Sequence, residues 1–526
     1  MKNVYLDGHN TSTYDIYELA YGNSLGLISD TSRKRIQESR KMLEKIVCHE
    51  PIYGVTTGYG EMVYVLVDNS KETELQTNLI RSHAAGIGNC FAKEESRSML
   101  AARINTFCRG YSAVREELVD RMLLYLNEGI IPCVPEIGSL GASGDLGPLS
   151  HIAVTLIGEG YVFGEQNEKV PTHRLLAKLN LKPLQLKYKE GLALINGTSA
   201  MTGLGSLISC QAEEQIKQAE IISALVLENQ RASVGAFQPE GHVLGKPFAG
   251  QITTASNMLK LFANSQLIDS HKELKNRLLK NKNQNSNSIY IQKAYTLRCV
   301  PQIIGAIRDT LEHTKNTLTI ELNSATDNPL FFAGNEVFHG GNFHGQQIAF
   351  VMDFLSIALT QLGVVSERRT NRLLNRNLSN GLPEFLIKSD PGLKCGFAGA
   401  QYPATALVAE NRTICSPASI QSIPSNADNQ DVVSMGLLAA RNCKRILKNN
   451  YYILAIELLC AAQAIDIADQ YQHLSHAGKI TYDLVRANIP TLDADRYMSD
   501  DIYKIANLLE DGQLVKTLTD NDINLK

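Results

Sequence analysis

From about Leu204 onward, apolar residues recur at three- and four-residue spacing over long stretches, the period of a helix with one buried face. Within Leu207–Leu227 the stripe is Ile208, Ala212, Ile216, Ala219, Ile222 and Val226. Gln346–Leu373 is apolar through Leu362 and turns charged at Glu367-Arg368-Arg369. Val433–Leu447 and Tyr451–Gln470 read as two further long helices. Helices in series with one apolar face each must bury those faces against one another, which predicts a helical bundle over 204–526. The first part reads differently. Helical patterns at Ser32–Val47 and Arg97–Cys108 alternate with loops at Tyr53–Gly60, Pro132–Gly147 and Ile195–Gly205, and Gly160–Gly164 reads as a minor strand. The predicted fold is therefore mainly α: a smaller mixed N-terminal domain, 1–203, then the long-helix bundle. The polar stretch Leu274–Ser288 reads as a solvated loop or, alternatively, as a mobile lid leading into Tyr290–Arg298.

Apolar residues make up 44% of the 526 and charged residues 20%, enough for a large core. A net charge of −3 with no basic tail argues against nucleic acid as a partner. The ten cysteines form no C-x-x-C pair, and the start, MKNVYLDGHNTSTYD, has no apolar signal core. A reducing cytoplasm is the expected location. The most apolar stretch, Tyr451–Ala468, carries Glu457, Gln463 and Asp466. A charge near a bilayer centre costs about 2.5–3.5 kcal/mol, so this reads as a buried bundle helix and no membrane is expected.

Small residues crowd the segment Gly138-Ser139-Leu140-Gly141-Ala142-Ser143-Gly144-Asp145-Leu146-Gly147. One reading is a Gly-rich turn with Ser143 or Asp145 capping the next helix. Chemistry offers another. In a tight enough bend the Gly144 nitrogen reaches the Ala142 carbonyl carbon. Loss of water closes a five-membered ring, and loss of a second water from Ser143 leaves a methylidene conjugated with the ring carbonyl. Small side chains permit the approach. The product, 4-methylidene-imidazol-5-one (MIO), is a strong electrophile made without an external cofactor.

This segment resembles the signature of the histidine and aromatic amino-acid ammonia-lyase family, whose prosthetic group arises from a triad matching Ala142, Ser143 and Gly144. The resemblance runs through further motifs in family order. Pro51–Gly60 is similar to the mobile loop whose first tyrosine, here Tyr53, is the family's base. Leu194-Ile195-Asn196-Gly197-Thr198-Ser199 is similar to the strip whose asparagine, here Asn196, helps hold the ring carbonyl. In Tyr290–Cys299, Arg298 matches the arginine that binds the substrate carboxylate, and Gln292 and Tyr295 match polar residues of the pocket. Asn328 matches a residue near that carboxylate, Phe343 one that packs by the ring, and Asn429–Gly436, with Gln430, the C-terminal pocket strip. His339 and His344 invite a metal reading, but two ligands fall short of the three or four that a tetrahedral site needs, so no metal is expected.

The family implies a histidine ammonia-lyase-like fold, a homotetramer with sites shared between chains, and ammonia elimination from an α-amino acid. For the substrate, histidine lyases carry Glu where this chain has Gln430, and His83 occupies the ring-selectivity position, where it can donate a hydrogen bond to a phenol oxygen. Together these imply tyrosine. Thr56-Thr57-Gly58-Tyr59-Gly60-Glu61-Met62 departs from the Asn-Thr-Gly-Phe-Gly of many lyases and looks more like bacterial tyrosine 2,3-aminomutases, as does Gly396–Ala406. The favoured expectation is thus a tyrosine 2,3-aminomutase, with tyrosine ammonia-lyase as the alternative. Histidine ammonia-lyase, and a helical scaffold without the ring, are the remaining readings.

Overall fold

The computed structural model describes residues 2–280, 292–334 and 336–526. The chain is mainly helical, as expected. It divides into two compact units, one of Met1–Cys210, His313–Asp353 and Pro417–Arg441, the other of Gln211–Glu312, Phe354–Ser416 and Asn442–Lys526.

Among its described residues the first unit holds four two-stranded sheets. Lys2–Leu6 pairs in parallel with Ser24–Ile28. Ile87–Cys90 pairs antiparallel with Pro135–Ile137, Tyr161–Phe163 with Lys169–Pro171, and Leu330–Phe332 with Glu336–Phe338. Tyr161–Phe163 lies inside the strand expected at Gly160–Gly164. Helix Lys93–Cys108 is buried along nearly its whole length, so its amphipathic signal is weak. Helix Asp30–Ile46 is amphipathic, burying Ile36, Leu43 and Ile46, with Ser29 accepting the Ser32 amide at its start.

The second unit is built of helices, with no paired strands among its described residues. The helix expected at Tyr451–Gln470 is a buried bundle element. Its Glu457 pairs with Arg369 at 2.5 Å and accepts the Ser366 hydroxyl. Its Gln463 exchanges two 3.0 Å hydrogen bonds with the Leu492 backbone. Two helices, Gln346–Leu374 and Gly436–Ile467, have the length and apolarity to cross a membrane, and 67% and 83% of those apolar windows are buried within the protein.

Some expectations are corrected. Val433–Leu447 and Tyr451–Gln470 belong to one continuous helix, Gly436–Ile467. The polar Asn449-Asn450 step that reads as a break is buried and satisfied, Asn449 by the Asn411 side chain at 2.8 Å and Asn450 by the Leu359 carbonyl at 2.8 Å. The loop expected at Ile195–Gly205 shrinks to 196–198, because helix Ser199–Asn229 starts at once. Gly203 serves close packing there: a Cβ on it would stand 2.7 Å from the Ser98 carbonyl carbon. Of the polar stretch Leu274–Ser288, residues up to 280 belong to helix His271–Lys280. Ser270 and Glu273 cap it reciprocally. The remainder, and with it the lid reading, lies outside the described residues.

Candidate active site

A cavity of about 1000 Å³ opens in the first unit. Its lining includes Tyr53, Tyr59, His83, Ala142, Ser143, Gly144, Asn196, Asn328, Phe343 and Gln430. Nine of these ten, all but Tyr59, are residues that the sequence assigns to the site, and the fold gathers them from positions 53 to 430 around one space.

The tripeptide 142–144 bends just before helix Leu146–Leu156. Gly144 has φ +73°, and a Cβ on it would lie 2.1 Å from the Gly197 carbonyl oxygen, so only glycine fits. The two strips run side by side, with Gly144 bridged to Gly197. The Asp145 amide donates to Gly197 O at 2.7 Å, and the Gly197 amide returns to Ser143 O at 3.3 Å. Asn196 Nδ2 also donates to Ser143 O, at 3.0 Å. Two donors therefore converge on the Ser143 carbonyl oxygen, the arrangement that stabilises developing negative charge. Gln430 Nε2 donates to Ser143 Oγ at 2.9 Å from the turn that precedes helix Gly436–Ile467.

Buried charge backs the bend. Asp145 accepts from Ser139 Oγ and from the Met201 amide, each at 2.8 Å, and burial pushes its carboxyl up to about 6. Glu321 accepts the Thr198 hydroxyl at 2.5 Å, and burial pushes it up to about 7. Lys189, at the start of helix Glu190–Ile195, forms a fully buried ion pair with Asp327. That pair ties the helix leading to Asn196 to the segment carrying Asn328, whose side chain accepts the Gly340 amide at 2.7 Å.

Tyr53 projects from the loop between helices Asp30–Ile46 and Glu72–His83. Its hydroxyl accepts the Gly60 amide at 3.0 Å, and its ring meets Tyr59 edge-on at 6.5 Å. Gln76 pins this loop. Its Nε2 donates to Gly54 O at 2.9 Å and to the Tyr59 hydroxyl at 3.0 Å, while its Oε1 accepts the Leu192 amide at 3.1 Å. Burial pushes the Tyr59 hydroxyl well above the usual tyrosine range, keeping it neutral.

His83 ends helix Glu72–His83. Its Nδ1 lies 2.9 Å from the Leu79 carbonyl oxygen and 3.0 Å from Ser82 Oγ. A carbonyl only accepts, so Nδ1 carries the hydrogen that it shares with the Leu79 oxygen. The histidines of the metal reading meet backbone groups, His339 the Tyr53 amide at 3.5 Å and His344 the Val432 carbonyl at 3.2 Å.

Gln292, Tyr295 and Arg298 do not line this cavity. They belong to the second unit, Tyr295 and Arg298 on the short helix Tyr295–Arg298, with Tyr295 68% exposed. Sequence reasoning missed Gln76, Arg103, Lys189 and Glu321. Arg103 had a readable signal, since Met99, Ala102, Thr106 and Phe107 surround it at helical spacing with small or apolar groups. Gln76 had none.

The MIO-dependent tyrosine 2,3-aminomutase of Streptomyces globisporus is 56% identical over 529 residues, covering 99% of this chain and 98% of that protein. The tyrosine ammonia-lyase of Cupriavidus metallidurans is 53% identical, with the same coverage. The crystal structure of the tyrosine aminomutase from Streptomyces globisporus superposes with a TM-score of 0.97 at 55% identity, covering all of both chains. The sequence profile of aromatic amino acid lyases matches residues 12–487, and with full-length relatives at this identity the chain is an enzyme of the aromatic amino acid lyase family.

Proposed function

We propose that this protein is a tyrosine 2,3-aminomutase. It removes ammonia from L-tyrosine to give 4-coumarate and returns it at the β-carbon to give β-tyrosine. The observation that carries this reading is the Ser143 carbonyl, gripped by Asn196 and Gly197 inside a cavity that also holds Tyr53 and His83. The residues fit an MIO group made from Ala142-Ser143-Gly144. The bend leaves no room for a side chain at Gly144, and the buried Asn196 Oδ1 has no hydrogen-bond partner among the described residues. Asn196 and Gly197 would hold the group by its carbonyl, and Gln430, which donates to the Ser143 hydroxyl that leaves as water, would border it. When formed, it supplies an electrophile that takes up the amine and lets it leave.

The chain's own residues divide the remaining work. Tyr53 takes the β-proton, from a loop that Gln76 keeps in place. His83 Nε2 accepts the substrate phenol proton and so favours tyrosine over phenylalanine. Asn328 and Phe343 line the same space, and Arg298, with Gln292 and Tyr295, binds the carboxylate end. These last three do not line the cavity of their own chain, which supports a homotetramer whose sites are completed by a neighbouring chain. In the second unit an apolar groove lined by Ile303, Ile307, Phe354 and Ile357 is suited to packing against another copy. The ten cysteines are unbridged, which supports a reducing cytoplasm.

Incubating the purified protein with tyrosine, phenylalanine and histidine, and identifying products by mass and chromatography, tests the reading. β-Tyrosine with some 4-coumarate is expected. Coumarate without β-tyrosine would make the protein a lyase, and urocanate alone would overturn the substrate.

A further inference from the structure

Arg103 is only 1% exposed, yet among the described residues none of its hydrogen bonds goes to a carboxylate. Its acceptors are the carbonyl oxygens of Ala193 and, at 2.6 Å, Asn196, with Ser199 Oγ more distant at 3.5 Å. The Phe107 ring centroid lies 5.0 Å from the guanidinium carbon. Burying a cation costs several kcal/mol even after the surroundings relax. Burial also draws this guanidinium down to about 10, while Asp327 and Asp145 hold it up from a distance. Carbonyls alone are a poor return for that cost, unless the charge acts on something beyond them.

The Asn196 carbonyl and the Gly197 N–H belong to one peptide group. Arg103 holds the oxygen of that group, and its N–H donates to Ser143 O at 3.3 Å. Hydrogen bonds at the two ends of an amide reinforce each other, so positive charge at the oxygen makes the N–H a stronger donor. The fit is close: a Cβ on Gly197 would stand 2.4 Å from Arg103 Nη1. Negative charge collects on the Ser143 oxygen whenever a nucleophile adds to a group conjugated with that carbonyl. We propose that Arg103 is a positioning residue that polarises the Asn196–Gly197 peptide and so strengthens its hold on the Ser143 carbonyl oxygen. The proposal rests on the reading of Ser143 as the source of the electrophile.

The test compares Arg103→Lys, which keeps the charge, with Arg103→Gln, which keeps donors without it. Intact mass of the wild type, two waters below the encoded chain, checks the electrophile independently; a wild type at full mass removes that reading and this inference with it. With the ring formed, kcat for tyrosine falls in the order wild type, Lys, Gln, the last by about tenfold to a hundredfold with KM held within about threefold. The difference absorbance of the conjugated group moves to shorter wavelength in the same order. A folded Gln variant that retains its two waters while the Lys variant loses them supports the same role. Lys and Gln variants equally impaired, a Gln variant better than Lys, or unchanged kcat and absorbance in either case overturn it, because satisfying two carbonyls would then suffice. Should neither variant fold, infrared spectra of wild type and Asn196→Ala, both grown with carbonyl-13C asparagine, decide. A difference band for the Asn196 carbonyl well below the other asparagines supports the guanidinium bond, and one within their range overturns it.

Discussion

Replacing His83 with phenylalanine removes one acceptor and little else. The imidazole is oriented by the Leu79 carbonyl at 2.9 Å and by Ser82 Oγ at 3.0 Å, and both are local contacts at the end of helix Glu72–His83. Losing them leaves the Ser82 hydroxyl still donating to the Leu79 carbonyl at 2.9 Å, and the site is only half-buried at the cavity wall. Stability should therefore change by less than about 1 kcal/mol. The substrate bears the larger effect. A phenol that enters the cavity and finds no acceptor forfeits about 1–3 kcal/mol, the cost of an unmet polar group away from water. At about 1.4 kcal/mol per tenfold, kcat/KM for tyrosine falls roughly fivefold to a hundredfold. Phenylalanine has no hydroxyl to satisfy, so its kcat/KM holds or rises. Steady-state kinetics with both amino acids give the ratio directly. A parallel loss for both substrates, or no loss for tyrosine, would refute the reasoning that Nε2 receives the phenol proton.

Gly144→Ala sets a Cβ 2.1 Å from the Gly197 oxygen at φ +73°; it should destabilise by more than about 1 kcal/mol and yield protein of full, undehydrated mass. Gln76→Leu frees the Tyr53 loop from Gly54, Tyr59 and Leu192, and the fraction of 4-coumarate over β-tyrosine should rise, as read by chromatography. Glu321 has its carboxyl pushed up to about 7 by burial. The protonated form therefore stabilises the fold fully below the ordinary glutamate range, and that contribution, up to about 3 kcal/mol, is lost as pH rises through about 7; in Glu321→Gln the fall in Tm between pH 5 and 7.5 should flatten. Ser143→Ala and Arg298→Ala, each inactive alone, should regain activity when refolded or co-expressed together, because the proposed sharing of sites between chains would leave a mixed assembly with sites that have both residues intact. Continued inactivity of the mixture would place both residues in one chain's site.

Much of this protein is legible without coordinates, because its strongest signals are local. Ile208, Ala212, Ile216, Ala219, Ile222 and Val226 are all buried, as their spacing requires. The bend at 142–144 announces itself through side-chain size, and size restricts backbone approach wherever the segment lies. Other features depend on partners distant in the chain. Asn449-Asn450 looks like a helix break until Asn411 and Leu359 satisfy it. The hydrogen on His83 Nδ1 is placed by a carbonyl one turn earlier, because the hydrogen of an imidazole nitrogen follows its neighbour and not the residue's own identity. Lys189 and Glu321 look like surface charges in one dimension; only three-dimensional packing buries them behind the bend. Periodicity and side-chain volume belong to the chain itself, and so the sequence determined the helices and the bend. Charge burial, proton placement and the assembly of a single cavity depend on which distant groups meet, and those the tertiary structure alone decided.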